Sequence, residues 1–216
     1  MSPQRLRAVA IVLASAALYG CVQVQPYDYT ALRARRPVSI LVLPPLNQTV
    51  DVNGPYSFLS TVTLPLAEQG YYVYPVQVID EYLKENGLPT AGEMNQVAPA
   101  KLHEIVGADA VLYLDLLQYG TKYAVLASTT IVSARGKLVD TQTGQTLWEG
   151  TATVQQNPNN NSGGLLGALV GAALNQIINS KTDLSHQVSA MTSNQLFTQP
   201  GRGLLFGPHH PKHGSD

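Results

Sequence analysis

The stretch Val38-Ser39-Ile40-Leu41-Val42-Leu43-Pro44-Pro45 restricts the fold of this chain more than any other. It is a run of branched apolar residues closed by two prolines. A strand with one wet face alternates apolar with polar, whereas a run without alternation must be covered on both faces. That is the position of a central strand in a sheet carrying helices on each side.

The residues after Pro45 fit such a sheet. In "NQTVDVNGPYSFLSTVTLPLAEQG" the pair Gly54-Pro55 starts a helix, Phe58, Leu59, Val62 and Leu66 recur at helical spacing, and Gly70 closes it. Pro65 removes the backbone hydrogen bond to Thr61, so a kink or break is expected there. Tyr71 to Val76 is the second strand. A short helix in "VIDEYLKENG", a linker "LPTAGEMNQV" and a helix in "PAKLHEIVGA" lead to a third strand, Asp109 to Gly120. From Lys122 to Gln156 the pattern changes to long alternating strands, with "DTQTGQ" as the turn between the last two. The expected fold is α/β, a mixed β-sheet with helices packed on it, with βαβ crossovers first and antiparallel strands last.

The front of the chain is of another kind. Arg5 and Arg7 precede an apolar, alanine-rich stretch, Ala8 to Leu18, which is too short to span a bilayer and reads as an export signal. Leu18-Tyr19-Gly20-Cys21 then resembles the lipobox of bacterial lipoproteins, with the chain's one cysteine at the position that takes lipid. Only a thiol, as thiolate, is nucleophilic enough to accept a diacylglycerol as a thioether, and the small Gly20 admits the peptidase. Two or more acyl chains hold a protein stably on a membrane. Val22 stands where an aspartate would resemble the inner-membrane retention signal, so an outer-membrane, periplasm-facing anchor is expected. The expected organisation is a signal peptide over residues 1–20, a lipidated tether over 21–36, one domain over 37–197 and a flexible tail over 198–216. Within the tether, Arg33, Arg35 and Arg36 form a small basic cluster suited to anionic headgroups.

Loss of Arg5 and Arg7 lowers Lys plus Arg from 13 to 11 against 14 acids, a mature charge of −3. That balance argues against nucleic acid, which needs a basic surface. A single cysteine excludes an internal disulfide framework.

"LPLAEQGYYVYPVQVIDEYLKENGLPTAGEM", "GADAVLYLDLLQYG" and "GQTLWEG" together resemble a family of bacterial lipoproteins of unknown function, typified by a meningococcal antigen lipoprotein. The resemblance spans Cys21 to Phe197. It implies a fold similar to the amino-terminal domain of the TolB translocation protein and to the periplasmic domain of the curli secretion lipoprotein. It also implies an accessory part in envelope transport or secretion, and dimerisation, and it supplies no catalytic residue.

Between the last strand and the last helix lies "NPNNNSGGLLGALVGAALNQIINS". Gly163, Gly167 and Gly171 stand four apart, and Gly164, Ala168 and Ala172 repeat the pattern one residue on. As a helix over 163–178 these positions make a smooth stripe that admits another helix at close range. Three uses are open: a buried helix of this domain, a self-association or partner surface making a homodimer or larger oligomer, or membrane insertion. A 16-residue helix would span about 24 Å, short of the roughly 30 Å hydrocarbon core.

In the final helix, Ser180 and Asp183 resemble a capping box, Leu184, Val188 and Met191 share a face, and His186 is expected at the surface. His209, His210 and His213 in the tail could hold a transition metal only weakly without a fixed geometry. No phosphate-binding glycine loop, "GxSxG" elbow or "HExxH" occurs, so no catalytic residue, metal or cofactor is expected. His103 with Glu104 reads as a surface pair. Asp115, inside a strand, needs a cation, for which Lys122 and Arg135 are at hand, and Asp80 and Glu81 read as opening a helix turn. In a sheet with crossovers, ligands bind beyond the carboxyl ends of strands, where this chain places Pro44, Pro45, Asn47 and Gln48 as the candidate cleft of a ligand- or peptide-binding module.

Overall fold

The apolar run from Val38 forms β1 (Ser39–Val42), which lies inside the sheet as its composition requires. The computed structural model describes residues 26–123, 128–156 and 184–216. In chain order the elements are α1 (Thr30–Arg35), β1, β2 (Leu46–Asn47), α2 (Gly54–Glu68), β3 (Tyr72–Val73), α3 (Val76–Glu85), α4 (Ala91–Met94) and α5 (Pro99–Val106). Next come β4 (Ala110–Tyr123), β5 (Ser128–Asp140), β6 (Thr146–Gln156) and α6 (Leu184–Thr198).

The strands make one sheet in the order β3-β1-β4-β5-β6, with β2 pairing β4 further along. β1 runs parallel to β3 and β4, and β2 runs parallel to β4. The β4–β5 and β5–β6 pairs are antiparallel. This is the mixed α/β sheet expected, with crossovers first and antiparallel strands last. Ile40 and Val42 face a core shared with α2 and α6, while Leu41 and Leu43 face a second core beneath α3 to α5. The missing alternation in the sequence is thus explained: both faces of β1 are dry.

Pro65 neither breaks nor ends α2, which continues to Glu68. The Thr61 carbonyl that Pro65 leaves without an intrahelical donor accepts instead from the Ser193 hydroxyl of α6 at 3.0 Å. The helix survives because a neighbouring helix replaces the lost bond.

α6 covers the same range as the helix read from sequence, but a different set of residues is buried. Val188 is fully buried, whereas Leu184 and Met191 are half-buried. The buried set also includes Ser185, Ser189, Thr192 and Ser193. Their small side chains allow α2 and α6 to lie close, and two of the hydroxyls return a bond to their own helix, Ser189 to the Ser185 carbonyl and Thr192 to Val188, while Ser193 shares its one proton between the Thr61 and Ala190 carbonyls. His186 is half-buried, with Nδ1 3.2 Å from the Ser57 hydroxyl.

Both ends of the described chain pack more tightly than expected. In the stretch read as tether, α1 buries Leu32, and Tyr27 and Tyr29 lie against the core. The tail beyond Thr198 folds back as a strap. Leu204 is buried, Trp148 Nε1 donates to the Arg202 carbonyl, Tyr29 to Gly203 and Tyr71 to Leu205. The tail's glycines and prolines concealed apolar anchors, Leu204, Leu205 and Phe206, sufficient to hold it. Gly70, at φ +86°, passes so close to the strap that a Cβ would lie 2.3 Å from the His210 nitrogen.

Two smaller corrections belong to the crossovers. The expected linker holds α4, capped by a reciprocal pair of bonds between Thr90 and Glu93. Asp80 lies in the middle of α3 rather than at its start; it is buried and accepts from Lys84 one turn on at 2.6 Å.

Candidate association surfaces and cavities

Cys21, the glycine stripe Gly163, Gly167 and Gly171, and Ala168 and Ala172 lie outside the described residues, as does the Ser180–Asp183 cap. The structure nevertheless fixes where the chain departs and returns around them. β6 ends at Gln156, paired with Thr130, and α6 begins at Leu184. Ser57 meets His186 and Thr61 meets Ser193, so α6 starts beside the start of α2.

The four residues read as a cleft do not act together as one. Pro44 and Pro45 are buried, and the Pro44 carbonyl accepts from Asn95 Nδ2 at 3.0 Å. The prolines interrupt the ladder, but the chain resumes it at once as β2, Leu46 opposite Asp115 and Asn47 opposite Leu116, and so occupies the space beyond β1. Asn47 is spent on its own loop: its Nδ2 donates to the Asp51 carbonyl, and its Oδ1 accepts from the Thr49 amide and hydroxyl, each at 2.9 Å. Gln48 is exposed and its amide donates to the Leu116 carbonyl. That loop is stiffened again at its far end, where the Asp51 carboxylate accepts from the amides of Asn53 and Gly54 at 2.8 and 2.9 Å.

Two cavities lie elsewhere. One, of about 420 Å³, lies against β6, with Tyr27, Arg135, Glu149, Thr151 and Arg202 among its walls. Tyr27 reaches β6 through its hydroxyl, which accepts from the Glu149 amide at 2.7 Å. Gly150 leaves room for the Trp148 ring, which a Cβ there would meet at 2.4 Å. The other, of about 460 Å³, lies between α1 and the strap, with Arg33, Arg36, Tyr71, Phe206 and His213 around it. No signal in the sequence pointed to either, because each is assembled from segments at opposite ends of the chain.

Several of the charges form pairs. Arg135 meets Asp115 through Nε and an Nη at 2.9 and 2.7 Å, supplying the cation that this strand carboxylate needs. Lys137 and Glu149 stand 3.4 Å apart across β5 and β6. Burial opposes the charge on Asp140, but hydrogen bonds from Thr143 and the Arg35 guanidinium outweigh it and hold the carboxyl below its ordinary range. Burial drives the Tyr71 hydroxyl upward, so it serves as a donor to the strap and not as an acid. Hydrogen bonding to Asp80 raises Lys84. His103 contacts the Ala108 carbonyl through Nδ1 at 2.8 Å, and Glu104 pairs with Lys101. His210 stacks on Phe206 at 3.9 Å and His213 bonds the Phe206 carbonyl, so two of the tail histidines serve the strap. Among the described residues no group of three or more His, Cys, Asp or Glu is placed to hold a metal, and no helix is long and apolar enough to cross a membrane.

Sequence and structure comparisons agree on the surroundings of this fold. The family described as "Putative lipoprotein GNA1162-like" matches residues 27–209. A lipoprotein of Neisseria meningitidis serogroup B, NMB1124/NMB1162, is 46% identical over 210 residues, 96% of either chain. The crystal structure of lipoprotein GNA1162 from Neisseria meningitidis aligns with a TM-score of 0.57 at 50% identity, covering 67% of this chain and all of that one.

Proposed function

This chain belongs to the GNA1162-like lipoprotein family, and from that premise we propose that it is held by lipid on Cys21 at the periplasmic face of the outer membrane and works there by association, without catalysis. Its task is accessory to an envelope transport or secretion assembly. The observation that carries this reading is the coincidence of a lipobox at Leu18 to Cys21 with a family match that begins at residue 27, directly after the anchor. The self-association surface is the stripe of Gly163, Gly167 and Gly171 with Ala168 and Ala172, where a glycine-rich segment justifies a helix propensity lower by about 1 kcal/mol per glycine than alanine would give. The organisation is a cleaved signal over 1–20 and one domain after the anchor.

The test is the mass of residues 22–216 in solution across concentration, beside a Gly167→Leu, Gly171→Leu variant. A dimer or larger species that dissociates in the variant while the fold persists supports the reading; two equally stable monomers refute self-pairing through the stripe. A second reading, a peptide-binding module, is favoured by the cavity of about 420 Å³ beside β6, where Arg135, Glu149 and Arg202 offer polar groups to a ligand. Arg135→Ala should then weaken peptide capture without changing the mass.

A further inference from the structure

The cavity of about 460 Å³ between α1 and the strap has a divided wall. Its apolar part includes Leu32, Tyr71 and Phe206, drawn from three separate parts of the chain. Its polar part carries the Arg33 and Arg36 guanidiniums and His213 against one carboxylate, Asp216. That carboxylate is turned onto the strap, where its Oδ2 accepts from the Phe206 amide. Arg33 donates through one Nη to the Asp216 main-chain oxygen at 2.9 Å and lies 6.0 Å from the Tyr29 ring centre, and Arg36 donates through Nε to the Arg33 carbonyl at 3.2 Å. Neither meets a carboxylate side chain among the described residues, whereas Arg35 and Arg135 each have an aspartate of their own. A guanidinium carries five N–H groups, so most of this pair's donors have no protein acceptor among the described residues.

Arg36 is also the one non-glycine residue among those described with a positive φ, +47°. Pro37 behind it bars the helical conformation, so α1 ends at Arg35 and the chain turns sharply at the cavity. This is the part of the domain nearest the anchor. Six residue steps separate Cys21 from Tyr27, a contour of at most about 20 Å, and the Tyr27 hydroxyl holds the chain to Glu149 of β6. Glu149 stands three steps, about 10 Å, from the start of β6 at Thr146, and seven, about 23 Å, from its end at Gln156. A lipid on Cys21 therefore reaches past the first end of the sheet and falls short of the second. The first end is the one where Arg35 of α1 meets Asp140, with the strap alongside. The exposed acids of this neighbourhood, Asp28, Glu68 and Glu104, stand outside the cavity wall, and Glu104 is paired with Lys101.

We propose that this cavity is a headgroup site for one anionic phospholipid: Arg33 and Arg36 take the phosphate, and the glycerol and first acyl carbons lie against Leu32, Tyr71 and Phe206. Guanidinium suits the task because its planar fork matches phosphate oxygens in pairs, and an anionic leaflet draws cations to its surface. Anchoring through Cys21 is the part of this taken from the function proposed above; it holds the cavity at the membrane surface, where even a weak site is filled. A seated lipid bridges α1 and the strap. The packing of the chain's last residues thereby follows the composition of the membrane.

The experiment follows amide hydrogen exchange in residues 203–210 of the full lipidated chain on vesicles of phosphatidylethanolamine, alone or mixed with phosphatidylglycerol. A ligand that binds only the closed strap slows its opening, so exchange should fall about threefold or more with phosphatidylglycerol. Arg33→Gln with Arg36→Gln should abolish that slowing while the chain still floats with the vesicles. Should the double change loosen the strap on phosphatidylethanolamine alone, Arg36→Gln by itself keeps the Arg33 bond to Asp216 and should still lose most of the slowing. No slowing, or equal slowing in the arginine variants, overturns the site. Slowing of the same size by glycerol 3-phosphate on phosphatidylethanolamine vesicles overturns the lipid and assigns the cavity to a soluble phosphate ester. Failure to float refutes the anchor, and the site is then read with dihexanoyl phosphatidylglycerol in solution: slowing that needs the arginines upholds it, and no slowing overturns it as well.

Discussion

The end of the sheet at Asp109 and Asp140 and the end at Thr121 and Thr130 are finished in opposite ways. At the first, three separate parts of the chain are tied by charge and by the strap. Asp109 accepts from the amides of Val38 and Ser39, Arg35 meets Asp140 at 2.6 Å, and residues 199–216 bond to Tyr29, Arg33, Gln69, Gly70 and Trp148. At the second, hydroxyls meet hydroxyls and two valines stand in solvent. The difference teaches where this domain holds its stability and where it keeps surface for contact. Anchors that close a fold bring distant segments together, whereas a braced loop with exposed apolar tips closes nothing.

The comparison can be broken by mutation, and the largest effect belongs to the tied end. Trp148→Ala removes a fully buried ring that packs 6.0 Å from Phe197 and donates to Arg202, and should cost about 3–5 kcal/mol in denaturant unfolding. A loss below about 1 kcal/mol would mean that the strap contributes little. Ser193→Ala should come next, at about 1–3 kcal/mol, because it orphans the buried Thr61 carbonyl. The same change in a Pro65→Ala background should cost markedly less, since an amide at position 65 can then bond Thr61; equal costs in both backgrounds would refute the rescue. Tyr71→Phe deletes one hydroxyl bond to the Leu205 carbonyl and should cost about 0.5–1.5 kcal/mol, with hydrogen exchange accelerating in residues 203–210 before the core.

The acid response sharpens the same contrast. Asp140 has its carboxyl held below the ordinary 3.8, so its contribution is present above that value and disappears as pH falls through the lower, folded one. Asp140→Asn should therefore flatten the loss of stability below about pH 4 relative to the parent chain. Unchanged acid titration would show that the Arg35 pair is not felt in folding. The smallest stability effect is expected at the open end: Val50→Asp with Val52→Asp should stay within about 0.5 kcal/mol of the parent, because both side chains stand in solvent. A large destabilisation there would show that the valines serve the fold.

How far the sequence could be read varied with whether a signal was local. Phe58, Leu59, Val62 and Leu66 at helical spacing marked α2 and its buried face, and Asp115 announced its need for a partner. The face of α6 could not be read, because Ser185, Ser189, Thr192 and Ser193 are buried for their size and for the carbonyls they can cap, properties that apolar periodicity does not register. That Pro44 and Pro45 are buried while Asn47 bonds within its own loop was hidden for a related reason. Two prolines signal the end of a strand but not that the chain will return at once to pair β4.

By itself, then, the sequence determined the class of fold, the both-sided burial of β1, the change from parallel crossovers to antiparallel strands, and the family through its motifs. Each of these comes from residue type and short-range spacing, which propensity and solvent exclusion read directly. Tertiary structure alone decided that Ser193 would save the helix through Pro65, that a Gly- and Pro-rich tail would become a strap over Trp148 and Tyr71, and that Val50 and Val52 would be held in water at one end of the sheet. These depend on contacts between residues far apart in the chain, or on a loop's internal bonds, and such contacts are selected by the shape of the assembled core.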